Sequence, residues 1–202
     1  MILAGGKSSR MGRDKALLKI EAQSLLLRTV QVAEQLTNEV VVVTAHPQQY
    51  CDELPPTVRL VREANAQGPL KGMMEGWQHI SAQWCLVLAC DLPYLDPAAL
   101  KSWWHWLTEK SPRSFNSDSA TIASLVPGAK GWEPLCGYYH RRCITHLQAY
   151  IAAWESQTNS EQTNPTQANR AIAKKQARTI QKGQPSFQAW LSTVAQLGKA
   201  RN

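Results

Sequence analysis

The chain has 202 residues, of which 44% are hydrophobic, and it carries a formal net charge of +7. This length and this apolar share suffice for one folded body with a sizeable core, so folding requires neither disulfides nor a partner subunit. All 15 acidic residues and 15 of the 22 Lys and Arg residues lie in 1–161, which leaves 7 basic residues and no acid in 162–202. A nucleic-acid-binding domain spreads its basic residues over a folded face, so a neutral body with a basic tail argues against a nucleic-acid partner.

The predicted elements alternate between short apolar strands and longer amphipathic helices. Strands are predicted from apolar runs at 1–4, 40–44, 58–61, 84–90, 120–125 and 135–139. Helices are predicted between and after them at 24–36, 70–80, 97–107, 143–154 and 185–197. Such alternation is typical of a parallel sheet with crossover helices. We therefore expect an α/β fold of three layers with a mostly parallel central sheet.

The composition changes after the helix predicted at 143–154. Residues 155–169 are rich in Gln, Asn, Ser and Thr and contain almost no hydrophobic residue, which predicts a loop or a disordered insertion. We therefore divide the sequence into a folded domain at 1–155, a polar and basic insertion or loop at 156–182, and a C-terminal helix and tail of the same domain at 183–202.

The cysteines and the lack of long apolar runs indicate the compartment. The five cysteines are odd in number and none stands in a Cys-x-x-Cys arrangement, which argues against disulfides and against structural zinc. No run of about 18 apolar residues could span a membrane, and the first residues do not form a secretory signal pattern. We expect a cytoplasmic protein without membrane attachment.

The most informative segment is a glycine-rich loop directly after the first predicted strand. Residues 3–15 are Leu-Ala-Gly-Gly-Lys-Ser-Ser-Arg-Met-Gly-Arg-Asp-Lys. Glycines allow backbone N–H groups to approach phosphate oxygens closely, so we expect the N–H groups of Ala4, Gly5 and Gly6 to bind a nucleotide. The spacing fits neither the P-loop nor the Gly-x-Gly-x-x-Gly dinucleotide motif.

Three charged residues are predicted to act on the phosphates. Arg10 and Lys15, in the same loop, are expected to neutralise a triphosphate and the charge that develops on departing pyrophosphate. Asp91 follows the strand predicted at 84–90, and the carboxyl ends of strands are where open α/β sheets bind ligands. One carboxylate is enough for Mg²⁺, which keeps several waters and takes other oxygens from substrate phosphates. We therefore expect Asp91 to be the metal ligand.

Several of these segments together resemble a known family, the molybdenum cofactor guanylyltransferases. The loop at 3–15 is similar to that family's Leu-Ala-Gly-Gly-x-x-x-Arg-Met-Gly-x-Asp-Lys motif. Gly-Pro-Leu-Lys-Gly at 68–72 and Cys-Asp-Leu-Pro-Tyr-Leu at 90–95 resemble two further motifs. A looser resemblance includes Glu-Pro-Leu-Cys at 133–136 and the segment 183–191.

The resemblance implies a three-layer Rossmann-like nucleotidyltransferase fold and a reaction. The reaction is transfer of GMP from GTP to the terminal phosphate of the molybdenum cofactor, with release of pyrophosphate and with Mg²⁺ as cofactor. The implied catalytic residues are Arg10, Lys15 and Asp91. The implied nucleotide-binding residues are Leu3, Ala4, Gly5, Gly6, Lys15, Thr44, Glu63 and Asp91. Expected partners are GTP, the molybdenum cofactor (molybdopterin), and molybdoenzymes or their chaperones.

Two alternatives remain open from sequence. A related nucleotidyltransferase would use CTP or a sugar-phosphate acceptor, although the two glycines at 5 and 6 resemble the guanylyl branch. Thr44 stands where family members often carry Asn, and a hydroxyl cannot reproduce both functions of an amide. A non-catalytic binding protein would keep the fold and use its basic tail at 162–202.

Overall fold

The computed structural model describes residues 1–4, 14–64, 68–110, 121–128, 131–163 and 185–199. The strands are β1 (Ile2–Leu3), β2 (Lys19–Ile20), β3 (Gln23–Ser24), β4 (Val41–Thr44), β5 (Arg59–Arg62), β6 (Trp84–Ala89), β7 (Ala123–Gly128) and β8 (Gly131–His140). The α-helices are α1 (Leu25–Glu34), α2 (Pro69–Trp77), α3 (Pro97–Lys110), α4 (Cys143–Thr163) and α5 (Phe187–Lys199). None of the helices in these ranges combines the length and the apolar character needed to cross a bilayer.

The central sheet has six strands in the order β5-β4-β1-β6-β8-β7. The four strands β5, β4, β1 and β6 are parallel, whereas β8 is antiparallel to both of its neighbours. Strand β1 lies between β4 and β6, so the loop that follows it begins in the middle of the sheet. The expected α/β fold with a mostly parallel central sheet is confirmed.

Helices cover both faces of this sheet. Helices α2, α4 and α5 pack on one face, in a core that includes Trp77 and Trp190. Helix α1 packs on the other face, where Leu26 is fully buried. Helix α3 contacts β8, since the ring of Trp104 lies 5.3 Å from that of Tyr138. The result is the three-layer arrangement expected from the alternating elements.

The continuous apolar runs of the inner strands follow from these two helical layers. In β4, Val41 and Val43 belong to the core on the α2 side, whereas Val42 belongs to the core on the α1 side. In β1, Leu3 and Ile2 divide between the two cores in the same way. A strand covered on both faces has no solvent side, so apolar residues follow one another along it without polar alternation.

Helix α4 continues beyond its predicted end. It runs to Thr163, so the expectation of a loop or disordered insertion is wrong for residues 155–163. The first half of the helix buries Leu147 and Ile151, and residues 143–163 contain no Gly or Pro that would interrupt it. Gln and Glu are good helix formers, so the lack of apolar residues after the first half ends the packing without ending the helix. The domain boundaries themselves stay predictions.

The hairpin of β7 and β8 is longer than predicted. Strand β8 begins at Gly131, although the sequence predicts a start at 135. Because Leu88 of β6 pairs with Cys136, residues 131–134 extend past the carboxyl end of β6 at Ala89. The first three residues of β8 are exposed, so no apolar pattern indicates this part of the strand.

Gly76 lies where α2 packs tightly against the sheet. A Cβ added there would lie 2.6 Å from Val43 Cγ2 and 2.9 Å from Met1 Sδ. We expect Gly76→Ala to lower the free energy of unfolding by about 1–3 kcal/mol, because the core must shift to admit the methyl group. Gly72→Ala on the same helix is the control: its added Cβ would lie 3.6 Å from the nearest atom, Glu63 Cδ. Urea denaturation measures both variants, and a Gly76→Ala variant as stable as wild type would contradict the close approach.

Candidate active site

The four parallel strands end at one edge of the sheet, and residues predicted from sequence lie at or just after their ends. Leu3 is in register with Val43 and with Ala89. Thr44 is in register with Arg62. Four candidate residues therefore lie along one carboxyl edge, where open α/β sheets bind ligands: Ala4, Thr44, Glu63 and Asp91.

An ion pair of Lys15 with Asp91 joins two distant parts of the chain at this edge. The residues are 76 positions apart, and Lys15 Nζ lies 3.3 Å from Asp91 Oδ2. About half of the lysine side chain and two fifths of the aspartate side chain are exposed, at 50% and 39%. A cation and an anion thus face solvent together. Gly5, Gly6 and Arg10 lie outside the described residues.

Asp14 holds the short 3₁₀ helix Lys15–Leu17 from which the lysine extends. Asp14 Oδ1 accepts a hydrogen bond from Ala16 N at 2.9 Å, and Oδ2 accepts one from the Tyr50 hydroxyl. No sequence pattern singles out Tyr50, since a contact between two loops 36 positions apart leaves no periodic signal. A buried hydroxyl needs a partner, and Asp14 supplies one.

Leu3 and Ala4 are buried at the start of the glycine-rich loop, at 7% and 3% exposure. The Ala4 N–H donates to Val43 O at 2.8 Å. Sheet pairing thus continues one residue past the end of β1, and the expectation that this N–H binds a nucleotide phosphate is wrong. Contact of either residue with a nucleotide through other atoms stays a prediction.

Thr44 ends β4 and is 1% exposed. Its Oγ1 accepts a hydrogen bond from His46 N at 3.3 Å. The hydroxyl also lies within hydrogen-bonding reach of the Tyr50 hydroxyl. The Thr44 side chain is therefore engaged by its own chain, and its role in nucleotide binding stays a prediction.

Glu63 follows β5 and lies against the first turn of α2. Its N–H donates to Thr44 O at 2.8 Å, and a Cβ added at Gly72 would lie 3.6 Å from Glu63 Cδ. Gly68 is the N-cap residue of α2 and has no side chain with which to cap the helix. A carboxylate near a helix N-terminus interacts favourably with the helix dipole. Glu63 thus supports the helix in this structure, and its predicted contact with a nucleotide stays a prediction.

Cys90 precedes Asp91 in the sequence, and its thiol is a candidate nucleophile beside the ion pair. Burial first, and then the negative charge of Asp91, raises the pKa of the Cys90 thiol to about 12. The thiol is therefore protonated at neutral pH, and a thiol is a much weaker nucleophile than a thiolate. A covalent route through Cys90 is not supported by this environment.

The donors at the edge suit a cation that shares its coordination with a substrate. Asp91 offers a hard carboxylate oxygen, which Mg²⁺ accepts together with waters and phosphate oxygens. Among the described side chains, no three His, Cys, Asp or Glu residues form a metal-binding group by themselves. A magnesium ion at Asp91 would therefore depend on substrate phosphates for its other ligands, and its presence stays a prediction.

Comparison with known proteins identifies relatives of the whole sheet-containing region. Residues 1–185 match the family model described as a MobA-like NTP transferase domain. The chain is 40% identical over 154 residues to a probable molybdenum cofactor guanylyltransferase of Nostoc sp., covering 75% of this chain and 70% of that protein. It is 33% identical over 198 residues to one of Synechococcus elongatus, covering 96% of this chain and 84% of that protein.

Solved structures share the fold. The molybdopterin-guanine dinucleotide biosynthesis protein A of Archaeoglobus fulgidus superposes with a TM-score of 0.54 at 19% identity, over 75% of this chain and 72% of that one. A nucleotidyl transferase from Methanothermobacter superposes with a TM-score of 0.53 at 21% identity, over 75% and 73% of the two chains. At these identities the likeness concerns the fold.

Proposed function

Because this chain belongs to the MobA-like NTP transferase family, we propose that it transfers GMP from GTP to the terminal phosphate of molybdopterin and releases pyrophosphate. Two relatives at 40% and 33% identity carry the name probable molybdenum cofactor guanylyltransferase. The observation that carries the proposal is the ion pair of Lys15 with Asp91, which brings the end of the glycine-rich loop to the end of β6.

The acceptor phosphate supplies the nucleophile. A phosphate monoester is largely dianionic at neutral pH, because its second pKa is about 6. It attacks the α-phosphorus of GTP, a bond forms between that phosphorus and the acceptor oxygen, and the bond to the β-phosphate oxygen breaks as pyrophosphate leaves. No protein base is needed for this step. The enzyme contributes positioning and charge stabilisation, as in phosphoryl transfer generally.

Charged side chains of the loop and of the sheet edge perform these two tasks. Lys15 stabilises the negative charge that develops on pyrophosphate, and Arg10 assists from the same loop. Asp91 holds Mg²⁺, which when bound neutralises phosphate charge. The exposed ion pair of Lys15 with Asp91 separates easily when phosphates and the metal arrive, since such pairs contribute only about 0–1 kcal/mol.

Pyrophosphate release tests the reaction. We expect release that requires GTP, Mg²⁺ and molybdopterin together, with formation of molybdopterin guanine dinucleotide in equal amount. Sugar 1-phosphates replace molybdopterin in a parallel reaction, because a sugar-nucleotide enzyme would use them. Nucleotide binding with no transfer to any acceptor would contradict the proposal and favour a binding protein.

Base preference gives a second prediction. We expect GTP with Mg²⁺ to raise the melting temperature by on the order of 5 °C at 100 times the dissociation constant, since a ligand at that level stabilises by about 2.7 kcal/mol. CTP at the same concentration should shift it much less. A thermal-shift assay makes the comparison, with Mg²⁺ alone as the control, and a larger shift with CTP would assign the chain to the cytidylyl enzymes.

The product and the compartment complete the proposal. All five cysteines carry free thiols, which suits the reducing cytoplasm. The dinucleotide product would pass to molybdoenzymes or to their chaperones.

A further inference from the structure

Tyr50 is a buried polar residue to which the mechanism above gives no task. It is 1% exposed and packs in the core on the α1 side together with Ala4 and Ala16. Its hydroxyl donates a hydrogen bond to Asp14 Oδ2. Burial first, and then the bond to Asp14 and its charge, raises the pKa of Tyr50 above its usual value. The phenol is therefore a permanent donor at physiological pH.

Asp14 uses both carboxylate oxygens to connect Tyr50 with the segment that carries Lys15. While Oδ2 accepts from the tyrosine, Oδ1 accepts from Ala16 N at 2.9 Å. Asp14 has extended backbone angles, φ −68° and ψ 118°, as an N-cap residue should. A carboxylate with two fixed partners has little freedom to rotate, so the bond from Tyr50 holds Asp14 in its capping position before the 3₁₀ helix Lys15–Leu17.

The lysine itself needs this support. Its ion pair with Asp91 is exposed, and an exposed ion pair does little to hold a long side chain in one geometry. Ordering a lysine also has an entropic cost, because its side chain has many rotamers. A fixed backbone reduces that cost, since it leaves fewer torsions to restrict. Ala16, the residue after Lys15, is 1% exposed and anchors this part of the backbone in the core.

We propose that Tyr50 and Asp14 are positioning residues, which fix the backbone at Lys15 and thereby place its ammonium group against the phosphates. The inference rests on the proposed role of Lys15 in charge stabilisation. If Tyr50 were only a packing residue, loss of its hydroxyl would change stability and leave the kinetic constants unchanged.

Tyr50→Phe tests the hydroxyl while it keeps the ring in the core. We expect kcat for pyrophosphate release to fall about 10-fold, with a smaller change in KM for GTP. The reaction rate falls steeply when a catalytic group is displaced from its productive position. Tyr138→Phe is the matched control: Tyr138 is 6% exposed, and its hydroxyl donates to Leu100 O at 3.0 Å, in contact with α3. It should retain the wild-type kcat, and equal kcat values for the two variants would overturn the proposal.

A double variant shows whether Tyr50 acts through Lys15. In a Lys15→Ala background, Tyr50→Phe should have no further effect on kcat, because the group that it positions is gone. An additional 10-fold loss in that background would overturn the assignment and indicate a separate role for the tyrosine.

A measurement without turnover separates this inference from the proposed function. Reductive methylation with ¹³C-formaldehyde labels the lysines and keeps their charge, and Lys15→Arg identifies the Lys15 signal in the spectrum. We expect Tyr50→Phe, but not Tyr138→Phe, to move this signal toward that of a free dimethyl-lysine. An unchanged Lys15 signal would overturn the positioning role. If Tyr50→Phe moves the Lys15 signal as expected but the wild-type protein releases no pyrophosphate, the proposed function alone is overturned.

Discussion

Asp91→Ala should lower the rate of pyrophosphate release at least about 100-fold, because it removes the carboxylate that is expected to hold the metal on the phosphates. The fold should survive, since Asp91 lies after the end of β6 with 39% of its side chain exposed. Steady-state kinetics with saturating GTP measure the rate, and circular dichroism and the melting temperature check the fold.

Asp96→Ala is the control for loss of a carboxylate in the same loop. Asp96 Oδ1 accepts a hydrogen bond from Ala98 N at 2.8 Å, so its carboxylate caps α3. Its removal should cost about 1 kcal/mol of stability and leave the rate unchanged. An Asp91→Ala enzyme with near-wild-type activity would remove Asp91 from the mechanism.

Lys15→Ala should also lower kcat at least about 100-fold, with a smaller effect on KM for GTP. The charge on the leaving pyrophosphate is larger in the transition state than in bound GTP, so the loss falls mainly on kcat. Removal of the lysine should not unfold the protein, because half of its side chain is exposed and its ion pair is a surface pair.

Lys19→Ala separates the local effect from a general loss of positive charge. Lys19 begins β2, is exposed, and lies four positions from Lys15. Its removal changes the net charge equally and should leave kcat unchanged at physiological ionic strength. Similar losses in both variants would mean that Lys15 acts by long-range attraction of the nucleotide.

The fold could be predicted from sequence because strands in the middle of its sheet are covered on both faces. The Val run of β4 and the apolar run of β6 are unambiguous, since no solvent face interrupts them. The same physics explains what was missed. The exposed start of β8 and the polar second half of α4 carry no apolar pattern, although both are regular structure.

The candidate site, too, could be predicted in part from the sequence. Residues that follow parallel strands meet at one edge, so the start of the glycine-rich loop and Asp91 are expected there together, and the contact of Lys15 with Asp91 agrees with this expectation. The contact of Tyr50 with Asp14 does not, because it depends on how two loops fold over that edge. The engaged N–H of Ala4 was missed for a simpler reason: a sequence does not reveal the residue at which sheet pairing stops.

The central claim is that Lys15 and Asp91 belong to one triphosphate–metal site. Crystals grown with Mn²⁺ in place of Mg²⁺ and with a GTP analogue resistant to cleavage between the α- and β-phosphates test it directly. We predict an anomalous manganese peak within coordination distance of Asp91 and of phosphate oxygens, with Lys15 Nζ on a phosphate. A nucleotide bound at another edge of the sheet, or a manganese peak remote from Asp91, would contradict the account.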